Sequence, residues 1–319
     1  MPKQCLVLGG CGFMGSNLVE ELLKAGYRVR VFDTPAASRT NLASVEARIE
    51  FCGGDFLNAQ DLDAALREID FVFHLVGTTL PADSNSRPSF DLQSNVIGTV
   101  GLLEACARHR VTRLVFASSG GTVYGEPGKI PIPEDHPTDP LCSYGISKLT
   151  IEKYLQLFHR LYGLDYTVLR IANPYGRYQK SSSGQGIITA LLAKIREGQT
   201  ITIWGDGSVV RDYIYIDDVC SAFVKALTHT SAHRIFNIGT GIGTSIADLL
   251  VKIARVTGME PKTEYSAGRS VDVSTNVLDP ARANQYLGWC AQTDCDTGLR
   301  KTWDWICSDR MHSATVGSQ

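Results

Sequence analysis

Several features that define common protein classes are missing from this 319-residue sequence. It has no run of basic residues, and its formal net charge is −2. Nucleic acid and anionic membrane surfaces are therefore not expected as partners. No apolar stretch is long enough to cross a bilayer, and the first apolar run, residues 5–8, leads directly into glycines rather than into a signal-peptide pattern.

The nine cysteines form no CxxC pair and no Cys/His cluster. Their odd number and irregular spacing argue against a disulfide framework and against a zinc site, so no metal is expected. The composition is otherwise ordinary for a globular protein, with 44% hydrophobic and 20% charged residues. These features favour an enzyme of the reducing cytoplasm with one large or two modest domains.

In the first half of the chain, short apolar runs alternate with helical patterns. Strands are predicted at 5–8, 28–32, 49–52, 71–75, 114–117 and 166–171, and helices at 16–25, 59–69, 95–108 and 144–162. Buried strands that alternate with helices pair in parallel through right-handed crossovers. The pattern predicts an α/β fold with a doubly wound parallel Rossmann sheet.

The pattern changes after Asn173, where we expect a smaller mixed α/β lobe that binds the substrate. The predicted division is a Rossmann domain over 1–173, to which the segment 214–240 returns, and a smaller lobe over 174–213 and 241–310. Residues 311–319 are expected to form a frayed tail.

The strongest local motif is Gly9-x-x-Gly12-x-x-Gly15, which follows the first predicted strand and opens a helix. Glycine allows a tight turn and a close approach of the backbone to a pyrophosphate, while the helix N-terminus supplies N–H groups and a positive dipole end. A tight turn without a ligand is the alternative interpretation. The strand–turn–helix context favours dinucleotide binding.

Two acidic positions refine the cofactor prediction. Asp33 ends the second strand, where a carboxylate accepts from the ribose hydroxyls of NAD and repels the additional phosphate of NADP. Asp55 and Phe56 follow the third strand, where they would bond and cover the adenine, although an aspartate there also caps turns. The predicted cofactor is NAD.

Tyr144 and Lys148 are four residues apart in a predicted helix and therefore lie on one face. A tyrosine has a pKa of about 10 and is a poor base at neutral pH. A neighbouring ammonium group and a positive nicotinamide ring stabilise its phenolate. The pair predicts an acid/base centre in a redox site, whereas an ordinary exposed helix face is the alternative.

Nearly the whole chain resembles the extended short-chain dehydrogenase/reductases of the nucleotide-sugar epimerase/dehydratase group. The shared motifs are the glycine turn, Asp33, Asp55-Phe56, His74-Leu75, Asn95-Val-Ile-Gly-Thr99, Ser118-Ser-Gly-Gly-Thr-Val-Tyr-Gly125, Tyr144xxxLys148, Arg170-Ile-Ala-Asn173, Gly205 to Asp218, Gly268-Arg269-Ser-Val-Asp272 and Leu287-Gly-Trp289. The NAD-binding residues that the resemblance implies are Gly9, Gly12, Phe13, Met14, Gly15, Asp33, Asp55, Phe56, Leu75, Val76, Gly77, Asn95, Ser118, Tyr144 and Lys148. It also implies a homodimer.

The family places a hydroxyl that steadies the reacting oxygen of the substrate at the position of Gly120, which has none. Ser119 or Thr122 must substitute, and we favour Ser119. Alternatively, Ser118 and Ser119 only bond the backbone or the cofactor. The related 4,6-dehydratases carry an Asp-Glu pair where this chain has Gly121 and Thr122, so dehydration by that route is disfavoured.

For the substrate, the resemblance implies that Asn173 contacts the sugar or diphosphate, that Arg211 and Arg269 bind the diphosphate, and that Asp272 binds the nucleoside ribose. Arginine suits this task because its guanidinium forks onto phosphate oxygens. Asn276 falls where related enzymes bound the sugar's 2-substituent, and its size predicts room for an acetamido group, although an ordinary turn residue is the alternative.

The function that follows is an NAD-dependent epimerase that inverts C4 of a UDP-hexose, glucose or galactose and their N-acetyl derivatives, through a transient 4-keto intermediate. Two alternatives remain open. One is another NAD-dependent nucleotide-sugar enzyme, a dehydratase, decarboxylase or reductase, which would need an additional acid/base such as Glu126, Glu134 or His136. The other is a catalytically silent NAD-binding protein.

Overall fold

A computed structural model describes residues 2–181, 186–267 and 273–308 of the chain. Its main element is a seven-stranded parallel sheet. The strands are β1 (Gln4–Leu8), β2 (Arg28–Asp33), β3 (Ile49–Gly53), β4 (Phe71–His74), β5 (Arg113–Ser119), β6 (Asp165–Ile171) and β10 (Ile235–Ile238).

The strand order of this sheet is β3-β2-β1-β4-β5-β6-β10. The order reverses between β1 and β4, which is the topological switch point where doubly wound sheets bind dinucleotides beyond the carboxyl ends of their strands. The predicted doubly wound parallel Rossmann sheet is confirmed.

Helices cover both faces of the sheet, because the strands carry apolar side chains on both faces. The side chains of β1 show this alternation. Cys5 and Val7 point into one buried cluster and Leu6 and Leu8 into the other. The helices are α1 (Phe13–Lys24), α2 (Ala59–Ala65), α3 (Pro81–Ser84), α4 (Pro88–Asp91), α5 (Gly98–Arg108), α6 (Ser143–Tyr162), α7 (Ile187–Arg196), α8 (Ile216–Lys225), α9 (Ile246–Thr257), α10 (Ala281–Leu287) and α11 (Cys295–Cys307).

A smaller mixed sheet stands beside the carboxyl edge of the large one. Its strands are β7 (Asn173–Tyr175), β9 (Val210–Tyr215), β11 (Gly243–Ser245) and β13 (Thr275–Asn276), and a separate parallel pair is formed by β8 (Ile201–Trp204) and β12 (Thr263–Ser266). β9 pairs antiparallel with β11 and parallel with β7 and β13. A mixed sheet agrees with the prediction of a smaller α/β lobe.

Some predicted boundaries were wrong. The helix expected over 95–108 starts as a π-helical segment, Leu92–Ile97, that continues into α5. The helix expected over 59–69 ends at Ala65, because Leu66 leads into a turn in which Glu68 adopts a positive φ of 60°. In the described ranges no helix is long and apolar enough to cross a membrane.

The buried position of Val19 on α1 yields a stability prediction. Val19 is 0% exposed, whereas Val251 on α9 is 71% exposed. Val19→Ala removes buried methyl groups and leaves a cavity, so we expect a loss of about 2 kcal/mol in the free energy of unfolding, measured by urea denaturation. The matched Val251→Ala variant should stay within about 0.5 kcal/mol of the wild type, and an equal loss in both would contradict the assigned core.

Candidate functional site

The turn between β1 and α1 is built for close approach of a ligand to the backbone. Gly9 has a φ of 78°, which favours glycine. A Cβ on Gly15 would lie 2.2 Å from the carbonyl oxygen of Gly9, so only glycine lets the helix pack this closely on the turn. The N-cap Gly12 offers no side-chain cap to α1, and the helix N-terminus is therefore available to an anion. Phe13 and Met14 form its first turn, half-buried.

Asp33 lies beside this turn, at the end of β2. Its Oδ2 accepts from the backbone N–H of Cys11 at 2.9 Å, and its Oδ1 accepts from that of Thr34 at 2.9 Å. These bonds hold the carboxylate next to the glycine turn, where an adenosine ribose would lie. The residues present therefore fit a dinucleotide with free ribose hydroxyls.

Asp55 and Phe56 occupy the loop after β3. Asp55 is exposed and accepts from the N–H of Leu57 at 2.9 Å, as a turn-capping aspartate does. The Phe56 ring packs 5.3 Å from the buried His74 ring. A contact of either residue with adenine stays a prediction.

The loop after β4 runs against the glycine turn. A Cβ on Gly9 would lie 3.3 Å from the backbone of Leu75 and Val76, so these residues and Gly77 border the same opening. Asn95 stabilises this loop: its Oδ1 accepts from the N–H of Thr78 at 3.0 Å, and its Nδ2 donates to Asp91 Oδ1 at 3.0 Å. The amide of Asn95 is thus engaged within the protein, and its predicted contact with NAD stays a prediction.

Tyr144 and Lys148 lie on one face of α6, as predicted. Lys148 is 7% exposed, and its Nζ donates to the carbonyl oxygen of Ala117 on β5 at 2.9 Å. The same Nζ is 4.8 Å from the centroid of the Phe116 ring and 5.5 Å from that of the Tyr144 ring. The pair therefore lies at the carboxyl edge of the large sheet, with its cation held by β5.

The expected lowering of the Tyr144 pKa is not found in the protein alone. Burial, together with the nearby Cys142 and Asp91, raises the pKa of Tyr144 above its ordinary value. Burial also lowers the pKa of Lys148 to about 8, against the opposing effect of Asp91 and Glu152. Sequence reasoning missed the cost of desolvating both groups, and a further positive charge is required to stabilise the phenolate.

The hydroxyls at the end of β5 and just beyond it have separate surroundings. Ser118 donates to Glu152 Oε1 at 2.6 Å, which ties β5 to α6. Ser119 is half-buried beside Gly121. Thr122 Oγ1 is buried without a hydrogen-bond partner in the described part of the chain. A Cβ on Gly120 would lie 2.4 Å from Leu278 Cδ1, so a side chain there would require the buried Leu278 side chain to shift.

The carboxylate of Glu152 also forms a buried ion pair with Arg170, at 2.6 Å from Nη2 to Oε2. Sequence reasoning did not single out Glu152, although its position four residues after Lys148 puts it on the same face of α6. Its partners come from β5 and β6, so the pair fixes α6 against the sheet. A buried pair with satisfied hydrogen bonds favours one orientation of α6.

The smaller sheet brings three of the predicted substrate residues together. Arg211 on β9 is in register with Asn276 on β13, and Asn173 on β7 donates to the carbonyl oxygen of Asp212 at 3.2 Å. Asn276 is 1% exposed, and its Nδ2 donates to the carbonyl oxygen of Gly120 at 3.2 Å. The small sheet is thereby joined to the end of β5. Arg269 and Asp272 lie outside the described residues.

The chain is similar to known proteins over most of its length. The sequence profile of the NAD dependent epimerase/dehydratase family matches residues 5–239. The chain belongs to this family. UDP-glucose 4-epimerase of Mycolicibacterium smegmatis is 38% identical over 302 residues, covering 93% of this chain and 96% of that protein.

Two solved structures of the family are similar over nearly the whole chain. The UDP-glucose 4-epimerase of Thermotoga maritima, crystallised with UDP-glucose, has a TM-score of 0.90 at 35% identity and covers 95% of this chain and 98% of its own. The UDP-N-acetylglucosamine 4-epimerase of Methanobrevibacter ruminantium, in complex with UDP-N-acetylmuramic acid, has a TM-score of 0.89 at 28% identity and covers 96% and 98%.

As a family member, the protein uses NAD. The glycine turn, the uncapped helix and Asp33 are the features that would hold it, at the pyrophosphate and at the adenosine ribose. Across the described ranges, no group of three or more His, Cys, Asp or Glu side chains could hold a metal ion.

The packing of Gly15 on Gly9 predicts that Gly15→Ala blocks NAD binding. The added Cβ would force α1 away from the turn, so we expect the affinity for NAD, measured by calorimetry, to fall at least about tenfold. Gly101→Ala is the matched control, since a Cβ at Gly101 meets no atom within 4 Å. Equal affinity in the two variants would remove the glycine turn from the binding site.

Proposed function

We propose that this protein is an NAD-dependent 4-epimerase of UDP-hexoses, an isomerase that acts through a transient 4-keto intermediate. The observation that carries the proposal is the pairing of Tyr144 with the buried Lys148 ammonium at the sheet edge that also carries the glycine turn. The similarity to epimerases that have UDP-sugars as their substrates or ligands supports the same reaction.

In this mechanism Tyr144 removes and returns the proton of the sugar 4-hydroxyl. Bound NAD supplies the hydride acceptor and the positive ring charge that offsets the cost of a buried phenolate. Lys148, held by the carbonyl oxygen of Ala117, keeps a second positive charge near the Tyr144 ring and offers its N–H groups to the cofactor ribose. The ion pair between Glu152 and Arg170 holds α6 against the sheet, so that the phenol of Tyr144 keeps a fixed position for the proton transfer.

A third hydroxyl completes the acid/base set in our proposal. Ser119 remains our preferred candidate because it is the last residue of β5 and is half-buried rather than enclosed. Thr122 is the second candidate, since its buried Oγ1 has no partner in the described ranges and an unsatisfied hydroxyl is costly. Ser118 is committed to Glu152 and takes a positioning role.

The substrate groups assigned to the smaller lobe are Asn173, Arg211, Asn276 and, by motif, Arg269 and Asp272. Arg211 would neutralise the diphosphate, and Asn276 would bound the sugar at C2. Asn276 Oδ1 is buried without a partner in the described ranges, which leaves an acceptor beside Gly120. We propose that the site takes N-acetylhexosamines as well as plain hexoses, in line with the activity named for the Methanobrevibacter relative.

The local environment disfavours the rival nucleotide-sugar reactions. Glu134 is buried with its Oε1 accepting from the N–H of Asn237 at 2.8 Å and its Oε2 near Arg282. His136 accepts from the N–H of Gly128 at 3.0 Å and donates from Nδ1 to the carbonyl oxygen of Pro137 at 2.7 Å. Two of the three additional acid/base candidates are thus engaged in holding their own loop, and the third, Glu126, is exposed.

The test is to incubate the NAD-loaded protein with UDP-glucose, UDP-galactose and their N-acetylated forms. We expect interconversion at C4 without net NADH formation. Tyr144→Phe should lower kcat by at least about a thousandfold while the affinities for NAD and UDP-sugar stay close to the wild type, because only the proton carrier is lost.

Each other outcome has a distinct meaning. Net NADH formation would indicate a dehydrogenase, and an accumulating keto or unsaturated product a dehydratase. If no sugar is converted, or if Tyr144→Phe retains near-normal turnover, the epimerase proposal is wrong. As a control for the substitution, Tyr162→Phe alters an exposed phenol at the far end of α6 and should keep wild-type turnover.

We also propose that the protein is a cytoplasmic homodimer with the Rossmann domain and substrate lobe divided as the sequence predicts. The outer face of α6 carries the exposed apolar side chains Ile146, Leu157 and Leu161, and the adjacent π-helical segment adds Leu92 and Ile97. Exposed apolar surface on two neighbouring helices is typical of an association face.

Leu161→Glu should convert the dimer into a monomer, because a carboxylate would be buried without a partner. Sedimentation velocity measures the change. Val251→Glu places the same charge on an exposed position of α9 and should leave the dimer intact. A wild-type monomer would overturn the assignment.

A further inference from the structure

The N-terminus of the catalytic helix is capped by a distant part of the chain. The side chain of Cys142, the residue before α6, forms no capping hydrogen bond to the helix. Instead, the N–H of Ser143 donates to Asn85 Oδ1 at 2.9 Å, and the N–H of Tyr144 donates to Ser84 Oγ at 3.1 Å. These acceptors lie 58 and 60 positions earlier in the sequence. The turn that carries Tyr144 therefore depends on the segment between β4 and α5, residues 78–91, which we call the bridging segment.

Asp91 is the centre of this connection. Its carboxylate is 0% exposed and accepts from the hydroxyls of Ser143 at 3.0 Å and Ser147 at 2.5 Å, both on α6. It also accepts from the hydroxyl of Thr79 and from Asn95 Nδ2 at 3.0 Å. A buried carboxylate needs such donors to remain charged.

The donors of Asp91 come from both sides of the site. On α6, Ser143 and Ser147 lie on either side of Tyr144, and both precede Lys148. Thr79 belongs to the loop after β4, whose first residues lie against the glycine turn. One carboxylate thus holds the acid/base helix against the loop that borders the predicted NAD pocket. A neutral side chain at position 91 could form hydrogen bonds to the same groups without a negative charge. The carboxylate of Asp91 therefore adds a charge beside Tyr144 and Lys148.

We propose that Asp91 is a positioning residue of the acid/base centre, which fixes Tyr144 and Lys148 relative to the cofactor edge and whose negative charge sets the pH range in which the pair works. The inference rests on the proposed function for its kinetic part only. The effect of the Asp91 charge on the titration of Tyr144 can be measured without any substrate.

The charged and titratable groups around the pair give the sign of the effect. Asp91 faces it from α4, Glu152 from the next turn of α6, Cys142 from the residue before α6, and His74 from β4. Burial and Lys148 lower the pKa of His74 to about 3, so this ring is neutral at the working pH. Asp91 raises the pKa of both Tyr144 and Lys148, and its neutralisation must lower both.

The decisive variant is Asp91→Asn, which keeps the shape but removes the charge. Ser and Thr hydroxyls accept as well as donate, so the amide can be accommodated. In the NAD-loaded protein we expect the Tyr144 titration to move to lower pH by about one unit. It is measured as the phenolate absorbance difference between each protein and the same protein carrying Tyr144→Phe. Both limbs of the pH profile of kcat should move in the same direction.

Two controls separate the charge from the structure. Ser147→Ala removes one donor but keeps the carboxylate, so it should lower stability without moving the titration. Asp83→Asn removes an exposed carboxylate of the same bridging segment, and it should change neither the stability nor the Tyr144 titration. An unmoved titration in Asp91→Asn, or an equal shift in Ser147→Ala, would overturn the electrostatic role.

Asp91→Glu tests the positioning role by itself and serves if Asp91→Asn does not fold. It keeps the charge but lengthens the side chain, so kcat should fall about tenfold or more while KM and the Tyr144 titration stay near the wild type. Unchanged kcat in Asp91→Glu would overturn the positioning role. Because the titrations use NAD alone, a chain that converts no UDP-sugar would refute the epimerase proposal and leave the test of Asp91 intact.

Discussion

The buried ammonium group of Lys148 is the interaction on which the geometry of the site depends. Placing a cation in the interior is costly unless hydrogen bonds and opposite charges compensate. Here the carbonyl oxygen of Ala117 accepts one hydrogen bond, and the face of the Phe116 ring lies 4.8 Å away. Glu152 and Asp91 supply negative charge from two other directions. These contacts determine where α6 lies on the sheet, and hence where the phenol of Tyr144 lies.

The electrostatic balance of this centre makes the chemistry conditional on the cofactor. Burial raises the pKa of Tyr144 in the protein alone, and Lys148 does not overcome that effect. The positive nicotinamide ring would change the balance, because its charge would lie in the same weakly screened environment. In the proposed mechanism an unloaded protein therefore holds a neutral phenol, and Tyr144 acts as a base only when NAD is bound.

The two sheets meet at Gly120, the position where the resemblance led us to expect a hydroxyl. Gly120 is close to Leu278, and its carbonyl oxygen accepts from Asn276 on the smaller sheet. A side chain at Gly120 would require the Leu278 side chain to move. Glycine at this position thus lets Leu278 and Asn276 lie directly against the end of β5.

The sequence by itself determined the features that depend on local rules. Alternating buried strands and helices identify the doubly wound sheet, the glycine spacing identifies the dinucleotide turn, and the separation of four residues puts Tyr144 and Lys148 on one helix face. These inferences need only backbone periodicity and the steric properties of glycine. Their success follows from the short range of the forces involved.

Only the tertiary structure decided how this centre is held and charged. Asp91, Ser84 and Asn85 lie more than fifty positions from Tyr144 in the sequence, and no local pattern marks them as its partners. The raised pKa of Tyr144 in the protein without NAD likewise could not be read from the sequence, because desolvation depends on what the whole fold packs around the phenol. Burial and through-space charge are sums over distant segments, so they exist only once the chain has folded.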